Sequence, residues 1–432
     1  MKKDIFFEPL FGPGWPPLSA LRRYGLARTG KHWFATGGKG SGGLSLELAI
    51  TPSLVSAPLV LAAIWALVWA FPAIAAEGEG SFAVDGGRST VIAVAALPPP
   101  DRTLSRIAFG SCLHQGKPQP IWQAIKAVSP ELMVMAGDAV YGSTNEATIA
   151  PLEQAYAAQA ANPEFQAARA VLPMLAIWDD HDFGRNDAGG DYPLKGDAAR
   201  LFEAFWGAVP ERPAPFEKSS GGLYQVRTFG ASGSRVQVIL LDTRWFRSPL
   251  KPKKANFPHW GRYEPDTDAA SSGASEKTLL GETQWRWLEA VLSEPADLRI
   301  LVSSIQVLAE GHGFERWGNL PAERARLLGL LGGAAGRTVI VSGDRHYGAF
   351  YEARSGSLPN LGSGSRLVEM TASALNVASG GPAQDTQMAP LVSNIIGADN
   401  FGLAEIDWPA RTVTLSLRTL DGSVAASHVV AF

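Results

Sequence analysis

The chain contains a single cysteine, Cys112, in 432 residues, so no disulfide can form within it. It also lacks a basic excess, because 38 lysines and arginines face 41 aspartates and glutamates and leave a formal net charge of −3. A nucleic-acid binder needs a basic face to neutralise phosphates, so no nucleic acid is expected as a stable partner. What the chain does have is 46% hydrophobic residues and 13 tryptophans, which excludes a disordered, collagen-like or coiled-coil protein.

An uncharged segment lies near the N-terminus, at residues 48–76, and its central part at 58–71 is almost purely apolar. Small residues at Ala73 and Ala75 follow it in the spacing of a signal-peptidase site. We therefore expect residues 1–76 to form an N-terminal extension that directs export to the periplasm or the cell exterior. An uncleaved membrane anchor and a buried core helix are the alternatives. Contact with a membrane is expected only through this segment.

The rest of the chain is expected to comprise a lead-in linker at 77–104 and a catalytic domain at 105–432. In that domain short apolar runs alternate with helical patterns, which is typical of an α/β fold. Strands are predicted at 106–110, 132–136, 174–178, 236–241, 300–304 and 338–342. Helices are predicted at 121–128, 198–206, 284–292 and 322–331. Three later strands at 367–371, 403–406 and 413–417 follow one another without helices and predict a mixed or antiparallel second sheet.

Residue types that bind metals follow four of the predicted strands. In chain order they are Cys112, then Asp138 with Tyr141, then Asp180 with His181, and finally Asp344 with His346. Ligands of open α/β sheets bind beyond the carboxyl ends of the strands, so these side chains are expected to meet there. Repulsion among their carboxylates requires a cation. Carboxylates suit Ca²⁺, Mg²⁺ or Mn²⁺, whereas thiolate, phenolate and imidazole suit Fe³⁺ or Zn²⁺, so the mixture predicts two or more different metals.

Several segments resemble the alkaline phosphatase D-like metallophosphatases, a branch of the calcineurin-like phosphoesterases. The motifs are FGSC at 109–112, GDAVY at 137–141, WDDHDFGRND at 178–187 and SGDRHY at 342–347. Further similar segments are LLDTRWFR at 240–247, SSIQVLAEGHGFERW at 303–317 and NFGLAEIDW at 400–408. The resemblance covers residues 106–408. It implies a four-layer αββα sandwich and hydrolysis of phosphomonoesters or phosphodiesters by attack of a metal-bound hydroxide on phosphorus.

The resemblance also implies roles for individual residues. Cys112, Asp138 and Tyr141 would hold an iron-like ion, with Asp138 bridging to calcium-like neighbours. Asn186, Asp344 and His346 would be further ligands. Asp180 and His181 stand where related enzymes place a catalytic pair, with His181 a candidate general acid. The expected cofactors are therefore Fe³⁺ and Ca²⁺, with Zn²⁺ or Mn²⁺ as alternatives.

Other residues are assigned from their chemistry and position. Arg185 and Arg345 are candidate phosphate-binding residues, because a guanidinium matches two phosphate oxygens, although either could pair with a nearby aspartate. His312, between two glycines, is either close to the substrate or on the surface. Asp242 is expected to have a structural role, pairing with Arg244 or capping a loop, and Trp285 and Trp287 are expected in the core. The insertion at 247–280 is either a surface loop or a substrate lid.

Several functional alternatives remain open at this point. The substrate could be a small phosphoester or a phospholipid, and the enzyme could be a specialist phosphodiesterase acting on phospholipid or cell-wall diesters. Cys112 with His114, His181 or His346 could instead form a thiol nucleophile and its base. A non-catalytic surface protein that binds metal or phosphate is the third alternative. No obligate protein partner is expected.

Overall fold

The computed structural model describes residues 26–29, 32–35, 78–84, 88–144, 147–207, 210, 212, 221–256, 260–267, 277–362, 364–380 and 390–432. The chain divides into two compact units, Met1–Ile74 and Ala75–Phe432. In the first, strand β1 (Leu26–Thr29) pairs antiparallel with β2 (His32–Ala35). The uncharged segment predicted at 48–76 lies outside the described residues. In the part of the chain described, no helix is long and apolar enough to cross a membrane.

The second unit begins with an antiparallel pair, β3 (Gly78–Val84) and β4 (Arg88–Val94), within the segment expected to be a linker. Two six-stranded sheets follow. The first sheet contains, in spatial order, β16 (Val424–Ala431), β15 (Thr412–Thr419), β14 (Asn400–Asp407), β5 (Arg106–Gly110), β6 (Leu132–Ala136) and β7 (Met174–Ile177). The second contains β12 (Gly348–Arg354), β13 (Arg366–Ala372), β11 (Arg337–Ser342), β10 (Leu298–Ser303), β9 (Val236–Leu240) and β8 (Gln225–Phe229).

Helices connect the parallel strands of both sheets. They are α1 (Ile121–Ala127), α2 (Ala150–Ala161), α3 (Pro163–Arg169), the single-turn α4 (Asp180–Phe183), α5 (Lys195–Trp206), α6 (Gly281–Ser293) and α7 (Pro321–Gly333). A 3₁₀ turn at Trp317–Asn319 precedes α7. Local sequence explains where some of them begin. The Asn162 side chain accepts the backbone N–H groups of Glu164 and Phe165 at the start of α3, and Pro321 opens α7.

Alternating side chains divide the core into two layers, one on each face of the second sheet. In β10, Ile300 and Val302 belong to the same buried cluster as Val134 of the first sheet, whereas Leu301 belongs to a second cluster with Trp285. Because side chains of a strand alternate between faces, the sheets pack on each other with helices outside both. The predicted four-layer αββα sandwich is confirmed. Trp285 and Trp287 are buried, as expected.

Predicted strands and helices lie within three residues of the observed ends, but the expected second sheet is wrong in one respect. The three C-terminal strands do not form a sheet of their own. β13 runs parallel beside β11, whereas β14 pairs antiparallel with β5 and β15 pairs antiparallel with β14, so both extend the first sheet. All but the first residue of β13 are buried, as in its parallel neighbour β11, which explains its place inside the second sheet.

Candidate metal centre

The carboxyl ends of the parallel strands meet along one edge of the sandwich, and hydrogen bonds join the loops that leave them. The loops after β5 and β6 are joined by Cys112 N–H to the Gly137 carbonyl at 3.3 Å. Leu375, after β13, donates its N–H to the Ser111 carbonyl at 3.0 Å. The two sheets therefore contribute loops to the same site, as the strand-end rule predicts.

Cys112, Asp138 and His346 form the first group of side chains suited to a metal. One ligand atom from each lies within 4.8 Å of the others. Cys112 Sγ lies 3.7 Å from Asp138 Oδ2, and Tyr141 Oη lies 3.1 Å from His346 Nε2. Thiol, carboxylate, imidazole and phenol groups therefore converge at one point, which is the mixed donor set that suits a transition metal.

Two further groups continue from the first through shared carboxylates. Asp138, Asp180 and His181 form one, and Asp180, Asp187 and Glu315 form the other, each with ligand atoms within 4.8 Å. Asp138 belongs to the first two groups and Asp180 to the last two. A chain of overlapping groups linked by shared carboxylates can hold more than one cation side by side.

Burial makes this cluster unfavourable without cations. It raises the pKa values of Asp138 and Asp344, and nearby carboxylates raise them further. Burial also raises the pKa of Cys112 to about 12 and lowers that of His346 to about 4. In the described part of the chain, the buried Oδ1 of Asp180 has no hydrogen-bond partner. A bound cation would satisfy that oxygen and replace protons on the ligands, so these residues fit a metal centre.

A cavity of about 260 Å³ opens onto the cluster. It brings together many of the predicted site residues: Asp138, Asp180, His181, Asn186, Asp344, Arg345 and His346. Cys112 and Tyr141 are not in the lining, although they contact its members. The remaining lining residues, none of which was assigned as a site residue from the sequence, are Asp187, Trp260, Arg262, Phe314, Glu315 and Ser379.

Two predicted substrate-binding residues lie elsewhere. Arg185 Nη2 is 3.5 Å from Asp191 Oδ2, and its guanidinium stacks over Tyr192, so it pairs with a nearby aspartate, as the sequence left open. His312 is buried, with Nε2 3.1 Å from Gln306 Oε1, and is not on the surface. Neither residue lines the cavity. The phosphate-binding and catalytic roles of all the site residues remain predictions.

Buried ion pairs with two arginines hold acidic side chains in place in and next to the cluster. Arg244 Nη2 lies 2.6 Å from Asp179 Oδ1 and 2.7 Å from Glu315 Oε2, and Arg247 Nη2 lies 3.0 Å from Glu315 Oε1. Asp242 instead accepts the backbone N–H groups of Arg244 and Trp245 at 2.9 Å. Of its two expected roles, Asp242 therefore caps a loop, while the Arg244 side chain pairs with other acids.

Asp182 connects the loop after β6 to helix α4. Its Oδ1 accepts the N–H groups of Ala139 and Val140 at 2.9 and 3.1 Å, and its Oδ2 accepts that of Asp179 at 3.0 Å. These bonds fix the backbone on either side of the Asp138 and Asp180 carboxylates. Asp182 was not among the predicted site residues, although the motif WDDHDFGRND contains it.

Described parts of the insertion at 247–280 reach the site. Tyr263 Oη donates to Asp187 Oδ2 at 2.8 Å, and Arg262 Nη2 lies 3.0 Å from the same oxygen. Burial, followed by the charge of Glu315, raises the pKa of Asp187 to about 7. The insertion therefore forms part of the cavity wall.

The thiol-nucleophile alternative fits this geometry poorly. Cys112 is fully buried, and its Sγ lies 3.2 Å from Ser373 Oγ. With a pKa of about 12, the thiol stays protonated at neutral pH unless a metal binds it. The surroundings of Cys112 favour a ligand over a nucleophile.

Comparison with known proteins shows which family this chain belongs to. Residues 107–415 match the sequence model of a family described as PhoD-like phosphatase. Alkaline phosphatase D of Bacillus subtilis (strain 168) is 23% identical over 289 residues, which cover 58% of this chain and 47% of that protein. The chain thus spans about half the length of this curated relative.

Solved structures show a similar fold. A structure of PhoD matches with a TM-score of 0.59 and 18% identity, over 80% of this chain and 72% of that one. A purple acid phosphatase from yellow lupin (Lupinus luteus) matches with a TM-score of 0.49 and 12% identity, over 81% of this chain and 58% of that one. The first likeness supports the sandwich fold, and the second is too remote to argue from.

Proposed function

Because this chain belongs to the PhoD-like phosphatase family, we propose that it is a metal-dependent phosphoesterase. The observation that supports this best is that three ligand groups, linked through the shared carboxylates of Asp138 and Asp180, lie beside the cavity. A protein that only binds metal would need no more than a tight cation site. Here the carboxylates open onto a cavity that also contains a buried arginine, Arg345, as recognition of a phosphate group requires.

The ligand groups suggest which residues hold which cation. Cys112, Asp138, Tyr141 and His346 would hold the transition-metal ion, for which Fe³⁺ is our first choice. Asp180, Asn186, Asp187, Glu315 and Asp344 offer oxygen ligands that suit Ca²⁺. Zn²⁺ and Mn²⁺ are the alternatives. When bound, such ions neutralise phosphate charge and lower the pKa of water, which is the chemistry that phosphoester hydrolysis needs.

The protein's own groups would bind the substrate and move a proton. Arg345 is positioned to bind phosphate oxygens. His181 Nδ1 lies 2.7 Å from Ser143 Oγ, and this contact orients the ring. We therefore assign donation of a proton to the leaving-group oxygen to His181 Nε2. Asp180, whose pKa is lowered to about 2 because His181, Arg244 and backbone N–H groups outweigh its burial, stays ionised beside it.

The test is activity of the full chain on nitrophenyl phosphate and bis-nitrophenyl phosphate. Each substrate is assayed after chelation and after addition of Ca²⁺, Fe³⁺, Zn²⁺ or Mn²⁺. We expect chelator-sensitive turnover that Asp138→Asn reduces by at least about 100-fold, because this carboxylate serves two ligand groups. Asp197→Asn, an exposed aspartate on α5, is the matched control and should leave turnover unchanged.

The faster of the two substrates decides between a monoesterase and a diesterase. Turnover that survives both chelation and Asp138→Asn would contradict the metal-dependent proposal. Absence of turnover with every metal, together with tight metal binding, would support the binding-protein alternative.

We also propose that the protein is exported, on the basis of the uncharged segment at 48–76 and the small residues after it. Expression of the full chain followed by cell fractionation and N-terminal sequencing tests this. A new N-terminus close to residue 76 in the exported fraction is the expected result. An uncleaved chain in the membrane fraction would favour the anchor alternative.

A further inference from the structure

The cavity lining contains two chemically different groups of residues. Carboxylates and histidines form one group, and Trp260 and Phe314, with the guanidinium groups of Arg262 and Arg345 near the Phe314 ring, form the other. Trp260 is 52% exposed, which is unusual for a residue of its size. An exposed tryptophan in the lining of a cavity offers a flat apolar face to a ligand.

Phe314 contacts the other three residues of the second group. The rings of Trp260 and Phe314 meet edge to face, with centroids 4.7 Å apart and planes at 77°. The Arg345 guanidinium lies 4.4 Å from the centre of the Phe314 ring, and that of Arg262 lies 5.9 Å from it. Phe314 is therefore held by its neighbours, and about half of the Trp260 surface remains open.

The backbone fixes Trp260 in this position. Gly313 donates its N–H to the Trp260 carbonyl at 2.6 Å, and the Gly313 carbonyl accepts from Arg262 at 2.7 Å. Gly261 between them has φ of +135°, and a Cβ there would lie 2.2 Å from the Gly313 carbonyl carbon. Only glycine allows two backbones to approach so closely. The Trp260 ring therefore lies at the cavity where two loops cross closely.

We infer that Trp260, supported by Phe314, is a stacking subsite for an aromatic ring on the alcohol side of the phosphoester. This inference rests on the proposed function, because it places the phosphate of the same substrate at the carboxylate end. The substrate class is then a small ester whose alcohol carries a flat base, as in a nucleotide. A cavity of about 260 Å³ has room for such a compact ester more readily than for a two-chain phospholipid.

Two ligands that differ in the aromatic base measure what the ring contributes to binding. Adenosine 5′-monophosphate and ribose 5-phosphate carry the same phosphate on the same primary alcohol and differ in the base. Binding of each to the metal-loaded full chain is measured by titration calorimetry, and hydrolysis of each is measured in parallel. We expect the wild type to bind the nucleotide about 10-fold more tightly, which lies within the range of about 5-fold to about 150-fold for stacking of one base.

The variants assign the effect to the ring. In Trp260→Ala the two affinities should become equal within about twofold, while ribose 5-phosphate binds as before. Trp260→Phe should keep most of the preference, because a smaller aromatic ring remains. Val171→Ala, another exposed apolar residue outside the cavity lining, should change nothing. Because Trp260 is exposed, Trp260→Ala should leave the melting temperature unchanged if only the subsite is lost. A lowered melting temperature would show that the substitution disturbs the fold.

The outcomes are distinct from those of the proposed function. Equal affinities in the wild type, no binding of either ligand, or a preference that survives Trp260→Ala would each overturn the subsite. A preference that depends on Trp260, with no hydrolysis of any phosphoester, would leave the subsite standing and reject the proposed function.

Discussion

Replacing Arg244 by methionine removes the cation from a buried network behind the metal centre. Its guanidinium donates Nε–H to Asp179 Oδ1 at 2.7 Å and Nη1–H to Glu315 Oε1 at 3.0 Å and to the Ala188 carbonyl at 3.2 Å. All three charged side chains are almost completely buried. Methionine fills similar volume without charge, so the change leaves two carboxylates without this partner.

The expected loss follows from those contacts. Removing one partner of a buried ion pair typically costs about 3–5 kcal/mol of unfolding free energy, because the remaining charge is uncompensated. Arg247 still pairs with Glu315, which limits the loss to the middle of that range, about 4 kcal/mol. For a domain of this size the melting temperature should fall by about 5 °C.

Chemical denaturation and thermal melting of the full chain measure the effect. Arg200→Met is the matched control, because Arg200 pairs with Asp197 on the surface of α5 and should lose less than about 1 kcal/mol. Adding Asp179→Asn to Arg244→Met should recover part of the loss, since the amide carries no charge. If Arg244→Met is no more destabilising than Arg200→Met, the buried network contributes nothing net and the reasoning is refuted.

Three other predictions follow from the same structure. Asp182→Asn should lower the free energy of unfolding by about 2 kcal/mol and also weaken activity. The single oxygen of an amide can accept either the N–H groups of Ala139 and Val140 or that of Asp179, but not all three. An unchanged denaturation midpoint would count against this role. Chelation should lower the melting temperature of the metal-loaded chain by about 4 °C, as expected for one site filled by an ion at 100 times its dissociation constant, and the melting temperature of Asp138→Asn should shift less. A melting temperature that chelator does not change would exclude tight binding. Glu131 accepts the N–H groups of Ser105 and Arg106 at 2.6 and 3.1 Å, and although burial opposes it, these bonds and Arg102 lower its pKa. Because the pKa of Glu131 is lower in the folded state, the ionised side chain stabilises the folded protein at pH values above its unfolded-state pKa, and this stabilisation is lost as the pH falls. The wild type should therefore be more stable than Glu131→Gln by about 1 kcal/mol at pH 7, and the difference should shrink below about pH 4. A difference that grows as the pH falls would contradict this prediction.

Much of the fold could be predicted because its strands are short, apolar and bounded by polar turns. In β6, for example, every residue is buried, and the sequence LMVMA shows it directly. The hairpin β3–β4 lies in the segment expected to be a linker, because glycine and charged residues interrupt its pattern. Pairing was harder than strand position. Nothing in the sequence of β13 states that its neighbour is β11 and not β14, because that choice depends on long-range packing.

The site was predictable where strand position determines it. Asp138, Asp180, Asp344 and His346 follow strands at the same edge, and all four line the cavity. Glu315 could not be found this way, because it lies in a loop twelve residues beyond β10, where no periodic pattern applies. Its role as a candidate ligand depends on Arg244 and Arg247 holding it in place.

Backbone conformation explains why the positions of the strand ends predict which residues form the site but not how their side chains are arranged. Eight non-glycine residues of the described chain have positive φ, and five of them belong to the candidate centre: Cys112, Asp138, Asp187, Asp344 and His346, with φ between 51° and 68°. Each such residue costs about 1–2 kcal/mol and persists only where its surroundings hold it. The surroundings here are loops from other strands, as when Ser373 accepts the His346 N–H at 2.9 Å. The order of strands brings these residues to one edge, whereas the left-handed turns decide which of their atoms converge, and those turns depend on contacts between segments far apart in the sequence.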